Sequence, residues 1–573
     1  MVGNKGNSGP LKVVALALVS LAMSATAWAE SSRYIVTFKN SDRYQAASNT
    51  FRQSKRLAEL GLATPSATTG MTLLNTPAQI VRALDNLEMM IVETDSEDVA
   101  RMLAKHPAVA DVEQEIFFPN PAPVNGYTVK DGYTTFARAT ECAVDSKPWG
   151  INSVKAEGAW SVTKGKGARV LVLDTGFDRN HPDLKSRFEK GRNFASAKLQ
   201  NGIVVSSGTD DVTDKIGHGT HVAGTIAADG GCLFGVAPEA KILSGKVCED
   251  RGCSTAAVVA GIDWGISEKV DVISMSLGGP LALPSQQRAV QRAEAANVSV
   301  VAASGNDGVR RISYPAAYDT VIAVGAIADT NKRAEFSQYG PGLDVVAPGV
   351  DVISSVPMGA GRLSNVSVDM GDGKTTRVKS VSFAGAPQNS TPVSGAFAFA
   401  GLGKTEDMQK SNVRGKFALI QRGEIPFKDK VMNAMNAGAS GVVIFNNAEG
   451  LARGSLGEDG VIRIPVAMIE KAIGERIRDT IVKGTAVTAS IVTEESDYDS
   501  FDGTSMACPH VSGVVALVRA ANPKMTAAQV RDLLSKSATS IGSADEYGAG
   551  LVNAEAAVKG ARSLAVENLA SGF

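Results

Sequence analysis

The chain has 573 residues, a net charge of −1, 44% hydrophobic and 20% charged residues. That length exceeds one ordinary core and implies roughly three or four units. The composition excludes a disordered chain, and the near-zero charge excludes the basic footprint of a nucleic-acid binder.

The first predicted element is a targeting segment. Lys5 and Lys12 are the only charges before Glu30, residues 11–23 (LKVVALALVSLAM) are apolar, and Ala27-Trp28-Ala29 places small residues before a cleavage point. Residues 1–29 are therefore expected to be a signal peptide. The apolar run is shorter than the ~20 residues a spanning helix needs. No later stretch is apolar enough to span, so the expected product is secreted and free of the membrane. Export permits disulfides among the five cysteines. Cys248 and Cys253 flank Glu-Asp-Arg-Gly and can close a small loop, Cys142 and Cys232 are the next candidates, and Cys508 is left over. Spacing alone does not fix the pairing. Zinc has little support, because no C-x-x-C pair is present and His is scarce.

After the targeting segment, RYIVTFK (33–39) alternates as a strand, a helix is predicted over 46–62, and residues 89–118 read strand, helix, strand. Residues 30–118 thus form an α+β unit. Residues 119–146 open with PNPAPVNGY and read as an exposed linker suited to cleavage. Over 147–357, short apolar runs end at Gly-rich turns: ARVLVLDTG, AKILSGKV, VDVISMSLGG, VSVVAASGN, DTVIAVGA. Helical stretches at 254–268 and 283–296 lie between them. Such alternation predicts an α/β fold with a doubly wound parallel sheet covered on both faces. Functional residues of such sheets lie at the carboxyl ends of the strands. A further unit, 358–496, interrupts the pattern with GKFALIQRG, GVVIFNN and IPVAMI as strands, and the doubly wound pattern resumes over 497–573.

Three segments carry chemistry: VLVLDTG ends at Asp174, GHGTHVAGT holds His218 before a helix, and DGTSMACPHVSG opens a helix at Ser505. Acyl hydrolysis needs a nucleophile, a base to take its proton, and a carboxylate to orient the base. Ser505, His218 and Asp174 supply these roles. His510 is nearer in sequence, but five residues along a helix is ~140° round the axis and ~7 Å along it, so it cannot face Ser505. Cys508 is expected to be a buried free thiol. An oxyanion needs donors; the Ser505 N–H is one, and the Asn306 amide is a second candidate. An Asn between Gly305 and Asp307 is more readily a left-handed turn residue when the residues are taken alone, and the oxyanion reading stays open beside it. His218 with His221 as a metal pair lacks further ligands. An α/β-hydrolase would show G-x-S-x-G, and the residue two after Ser505 is Ala507.

These three blocks, with ASGN between them, resemble the subtilisin-type serine peptidases in sequence and in the order Asp, His, Ser. The resemblance runs from about residue 147 to 560, apart from the insert. It implies a secreted endopeptidase of broad specificity with Asp174, His218 and Ser505 as triad and Asn306 in the oxyanion hole. A catalytically inactive peptide-binding relative and an esterase using the same triad are the alternatives. It also implies that Ser276, Leu277 and Gly278 pair with substrate backbone. Residues 302–305, including Ala303, Ser304 and Gly305, together with Ser313, are then expected to line the pocket for the residue before the scissile bond, with large uncharged side chains preferred. Residues 30–118 resemble the family's inhibitor-type propeptide, an intramolecular chaperone and inhibitor removed by self-cleavage within 119–146. Residues 358–496 resemble a protease-associated (PA) domain. Relatives need no cofactor for catalysis and often bind Ca2+ as a structural ion; Asp183 matches a ligand of one such site. Partners implied are protein or peptide substrates and the chain's own propeptide, with the enzyme a monomer.

Overall fold

The computed structural model describes residues 32–59, 73–120 and 144–570, except 75, 95, 196–197, 201–202, 207–209, 384, 449, 452–453, 455 and 457–460. The expected signal peptide, most of the expected maturation linker and Cys142 lie outside these residues. Among the described residues, no helix is long and apolar enough to cross a membrane.

The central sheet has seven strands in the order Val345–Pro348, Val321–Ile327, Ser299–Ala303, Val272–Met275, Arg169–Asp174, Lys241–Lys246 and Phe188–Asn193. Every pairing is parallel. The five inner strands from Val321–Ile327 to Lys241–Lys246 are rich in Val, Ile, Leu and Ala and buried almost throughout. Such strands need helices on both faces. One face packs on His218–Ala227 and Thr504–Ala521, and the other on Thr255–Glu268 and Pro284–Ala295. The doubly wound reading therefore holds. Asp174 ends one of these strands, and His218 and Ser505 open the two helices on the first face.

The N-terminal unit is a four-stranded antiparallel sheet, ordered Gln79–Leu84, Met89–Thr94, Ser32–Phe38, Val109–Gln114. The period-two alternation of its strands sends Tyr34, Val36 and Phe38 to its own core and Ile35 to the other face. There Ile35, Leu87 and Ile91 share a buried cluster with Val258, Val259 and Ile262 of the peptidase unit. The inserted unit is an eight-stranded mixed sheet that opens on Gly361–Asp369 and closes on Thr488–Ser496, and these two strands pair antiparallel from Gly361↔Ser496 onward. Entry and exit are thus adjacent, which lets the insert interrupt the peptidase unit without disturbing its sheet.

Candidate active site

Asp174 is the last residue of its strand, His218 the first of its helix, and Ser505 the second of its helix. Gly217 precedes His218 at φ +92°, a left-handed conformation that needs glycine. His218 Nδ1 lies 2.7 Å from Asp174 Oδ1, and both side chains are buried. A carboxylate can only accept, so Nδ1 carries the proton in this bond, and in the neutral tautomer this selects, Nε2 is the acceptor. Nε2 is buried without a hydrogen-bond partner, as is Asp174 Oδ2. The Ser505 hydroxyl donates to the Ser276 carbonyl at 3.1 Å and leaves Nε2 free.

Asp214 holds these loops together and went unread in the sequence. Its Oδ1 accepts from the Thr175 hydroxyl at 2.9 Å and the Ile216 and Gly217 N–H groups; its Oδ2 accepts from the Thr220 N–H and hydroxyl. The Thr175 hydroxyl in turn accepts from Gly219 N–H at 2.9 Å. One buried carboxylate therefore ties the turn after Asp174 to the turn around His218. Its position four residues before His218 was the available signal, but its partners are scattered.

Asn306 is oriented rather than free. Its Oδ1 accepts from the Thr504 N–H at 2.9 Å and from the Thr504 hydroxyl at 2.8 Å, which fixes which end of the amide points away. A Cβ added to Gly503 would stand 3.6 Å from Asn306 Nδ2 and 3.6 Å from the Ser505 nitrogen. The two nitrogens thus flank one point beside the Gly503 α-carbon.

Ser276, Leu277 and Gly278 follow the Val272–Met275 strand, and the Ser276 hydroxyl donates to the Ser505 carbonyl at 2.8 Å. Ala303, Ser304 and Gly305 follow in parallel from the neighbouring strand. Ser313 closes the gap between them: its N–H bonds the Ser304 carbonyl, and Tyr314 and Gly279 exchange N–H···O bonds at 2.9 Å. The sequence-predicted substrate residues are therefore tied into one neighbourhood, which reaches Ser505 through Ser276.

A family model described as "Subtilase family" matches residues 165–415 and 471–550, and one described as "PA domain" matches 382–477. The chain belongs to the subtilase family. Subtilisin Savinase of Lederbergia lenta is 31% identical over 72% of this chain and 99% of its own. Alkaline elastase YaB of Bacillus sp. (strain YaB) is 28% identical over 84% of this chain and 82% of its own. The intracellular serine protease of Paenibacillus polymyxa is 42% identical over 38% of this chain and 68% of its own. Among solved structures, the psychrophilic subtilisin-like protease Apa1 of Pseudoalteromonas sp. AS-11 aligns with a TM-score of 0.57 at 29% identity, covering 73% of this chain and 99% of that one. As a subtilase, the protein is a serine-type endopeptidase that acts on peptides and needs no cofactor for catalysis.

The subtilase's Asp183 does not fit its expected calcium role. Oδ1 accepts from Cys232 N–H at 2.9 Å, and Oδ2 accepts from Leu233 N–H at 3.0 Å and the Tyr498 hydroxyl at 2.8 Å. Three hydrogen-bond donors converge where a cation would have to sit, and their positive ends oppose it. Among the described residues no group of three or more acidic, His or Cys side chains could hold a metal.

The remaining cysteines and histidines have structural partners. Cys248 and Cys253 form a disulfide across directly paired residues of a hairpin, as their spacing suggested. Cys232 is disulfide-bonded, and its expected partner Cys142 lies outside the described residues. Cys508 is a buried free thiol, pushed up to about 11 by burial and lying 3.6 Å from the Val301 carbonyl. His510 is buried, and its Nδ1 lies 2.8 Å from the Met506 carbonyl one turn earlier; burial pulls its pKa down to about 4. It packs against Gly150, not against Ser505. His221 stacks on Phe501 at 4.3 Å and bonds the Val352 carbonyl.

Proposed function

We propose that this subtilase is an exported monomeric endopeptidase, made as a self-processed zymogen, with Ser505 as nucleophile, His218 as base and Asp174 as its orienting carboxylate. On substrate binding the Ser505 hydroxyl leaves the Ser276 carbonyl and gives its proton to His218 Nε2 as it attacks the scissile carbonyl. Asp174 stabilises the imidazolium that results, and the Asn306 amide and Ser505 N–H receive the oxyanion. The imidazolium then protonates the leaving amine, and water releases the acyl group by the same route. The observation that carries this reading is a buried His218 with Nδ1 committed to Asp174 and Nε2 unpartnered.

Substrate would bind through its backbone to residues 276–278, so many sequences are tolerated. The zymogen reading has a physical support of its own. Phe117–Phe118 pairs antiparallel with Gly252–Ser254, and the Phe118 ring fills the space beside Gly279. Beyond the sheet edge, Glu113 accepts from the Ser285 N–H at 2.6 Å in the first turn of Pro284–Ala295. The end of the N-terminal unit therefore lies as an added strand beside Gly252–Ser254, with Phe118 against Gly279 next to the expected substrate-binding residues 276–278.

A serine-directed fluorophosphonate tests the chemistry. It should label the processed protein on Ser505 and leave Ser505→Ala unlabelled and unprocessed. Absence of label on the processed wild-type chain would refute the enzyme. N-terminal sequencing of the secreted protein reads export and maturation; an N-terminus before residue 119 on active protein would refute the zymogen.

A further inference from the structure

The slot expected beside Ser505 is closed by a residue that neither the sequence motifs nor the backbone walls reveal. Gly305 sits at φ +111°, and a Cβ there would lie 1.8 Å from Gln338 Oε1 and 2.7 Å from Ser313 Oγ. The Gln338 amide therefore lies directly against the Gly305 α-carbon. On the opposite wall, a Cβ added to Gly278 would lie 3.7 Å from Ser313 Cβ. Ser313 spans the floor, and Gln338 fills the space behind it. Gln338 is 1% exposed.

Gln338 is also held in place at both ends. Its Oε1 accepts from the Ser313 hydroxyl at 3.1 Å, and its Nε2 donates to the Arg311 carbonyl. Its backbone N–H donates to the Gly305 carbonyl at 3.0 Å, and its carbonyl accepts from the Ser304 hydroxyl at 3.1 Å. Swinging the amide aside would strand buried donors and acceptors, and an unpaired buried polar group is costly. A long substrate side chain cannot displace it cheaply. The Ser313 proton is spent on Gln338, so the floor turns lone pairs toward the slot, and a carboxylate there meets repulsion.

We propose that Gln338, with Ser313, sets the specificity of this subtilase by shortening the slot for the residue before the scissile bond. Short neutral side chains (Ala, Ser, Thr) are accepted, Phe and Tyr are disfavoured, and Asp and Glu are rejected. This replaces the preference for large uncharged side chains implied by sequence resemblance, and it rests on the peptidase chemistry proposed above. Gln338 acts here as a specificity-determining residue and takes no part in the proton transfers.

The test uses mature enzyme and a set of tetrapeptide nitroanilides that differ only in the last residue: Ala, Ser, Phe, Tyr, Glu. Wild type should cleave the Ala substrate with kcat/KM at least tenfold above the Phe one, within the 10–200-fold range that a misfitting side chain produces. Gln338→Ala should raise the Phe-to-Ala ratio at least tenfold, whereas Gln338→Met, which keeps the bulk, should leave that ratio within about threefold of wild type. Ser313→Gly opens the same floor from the other side and should shift the ratio the same way if Gln338→Ala does not fold. Wild type preferring Phe, or a ratio unmoved in both opening variants, overturns the proposal. A variant that merely loosened the 309–313 loop would lower both substrates together, and that result also overturns it. Failure of the peptidase reading looks different: no substrate is cleaved and Ser505 takes no fluorophosphonate.

Discussion

The peptidase unit and the inserted PA domain are both built around short, buried parallel strands, yet Lys430 of the insert and the Asp174–His218 pair of the peptidase unit are bound differently. In the insert, the Lys430 side chain is fully buried and its ammonium donates to the Leu402 and Gly423 carbonyls at 2.5 and 2.6 Å. It clamps two turns through two of its three N–H donors. In the peptidase unit, Asp174 Oδ2 and His218 Nε2 are buried and unpartnered, and Asn306 is held by one end of its amide only. The Lys430 ammonium is bound to two carbonyls, whereas Asp174 and His218 bond each other through one atom apiece and keep the other free of protein partners. The comparison is sharpest for titratable groups, because leaving them unsatisfied is costly.

The largest effects should come from breaking the groups that keep an atom free. Asp174→Asn keeps the shape but offers an N–H to His218 Nδ1, which selects the wrong tautomer. A loss of about 10⁴-fold in kcat is expected, with the fold and KM nearly unchanged. Circular dichroism and single-turnover kinetics check this; a loss under tenfold would remove Asp174 from the mechanism. Asn306→Ala should cost about 10²–10³-fold in kcat with little change in KM, since its amide meets charge only in the transition state. A change confined to KM would make Asn306 a substrate-binding residue instead. By contrast, Lys430→Met strands two carbonyls in the insert. It should lower the stability of that unit by about 1–3 kcal/mol and leave short-peptide turnover within twofold.

How much of this was legible beforehand follows the same division. Asp174, His218 and Ser505 each sit in a contiguous block beside a strand end or helix start, so local pattern revealed them. The helix geometry that excluded His510 also needed only spacing, and the observed Met506 contact agrees with it. Asp214 and Gln338 were missed because their roles depend on partners from distant loops: Asp214 on Thr175 and Thr220, Gln338 on Gly305, Arg311 and Ser313. No periodicity records such convergence. Asp183 misled for the opposite reason. Its residue type matches a calcium ligand, but Tyr498, 315 residues later, and the Cys232 turn supply donors instead of oxygens. Residue identity carries over from relatives more readily than the surroundings that give it a role.

The subtlest way to separate the two units is by pH, because each holds a base that burial pulls down, His510 in one and Lys430 in the other. His510 is drawn down to about 4 from an ordinary value of 6.5 by burial in the peptidase unit. The unfolded chain then binds a proton the native state refuses. Its contribution to stability is complete above about pH 6.5 and is lost as pH falls toward 4. Lys430 is drawn down to about 8 from 10.5, again by burial, with Lys404 adding to the effect and Asp407 and Glu424 opposing it. The same sign places its window higher: its contribution is complete above about pH 10.5 and declines as pH falls to 8. Urea midpoints of the inactive Ser505→Ala protein, read by pulse proteolysis with fragments assigned by mass, should therefore show two separate pH dependences. The peptidase fragment should weaken between pH 6.5 and 4, and the slope should shrink in His510→Gln. The insert should strengthen between pH 8 and 10.5, and Lys430→Met should flatten that rise. If both fragments lose stability over one shared pH range, the two units unfold together and the separation drawn between them fails.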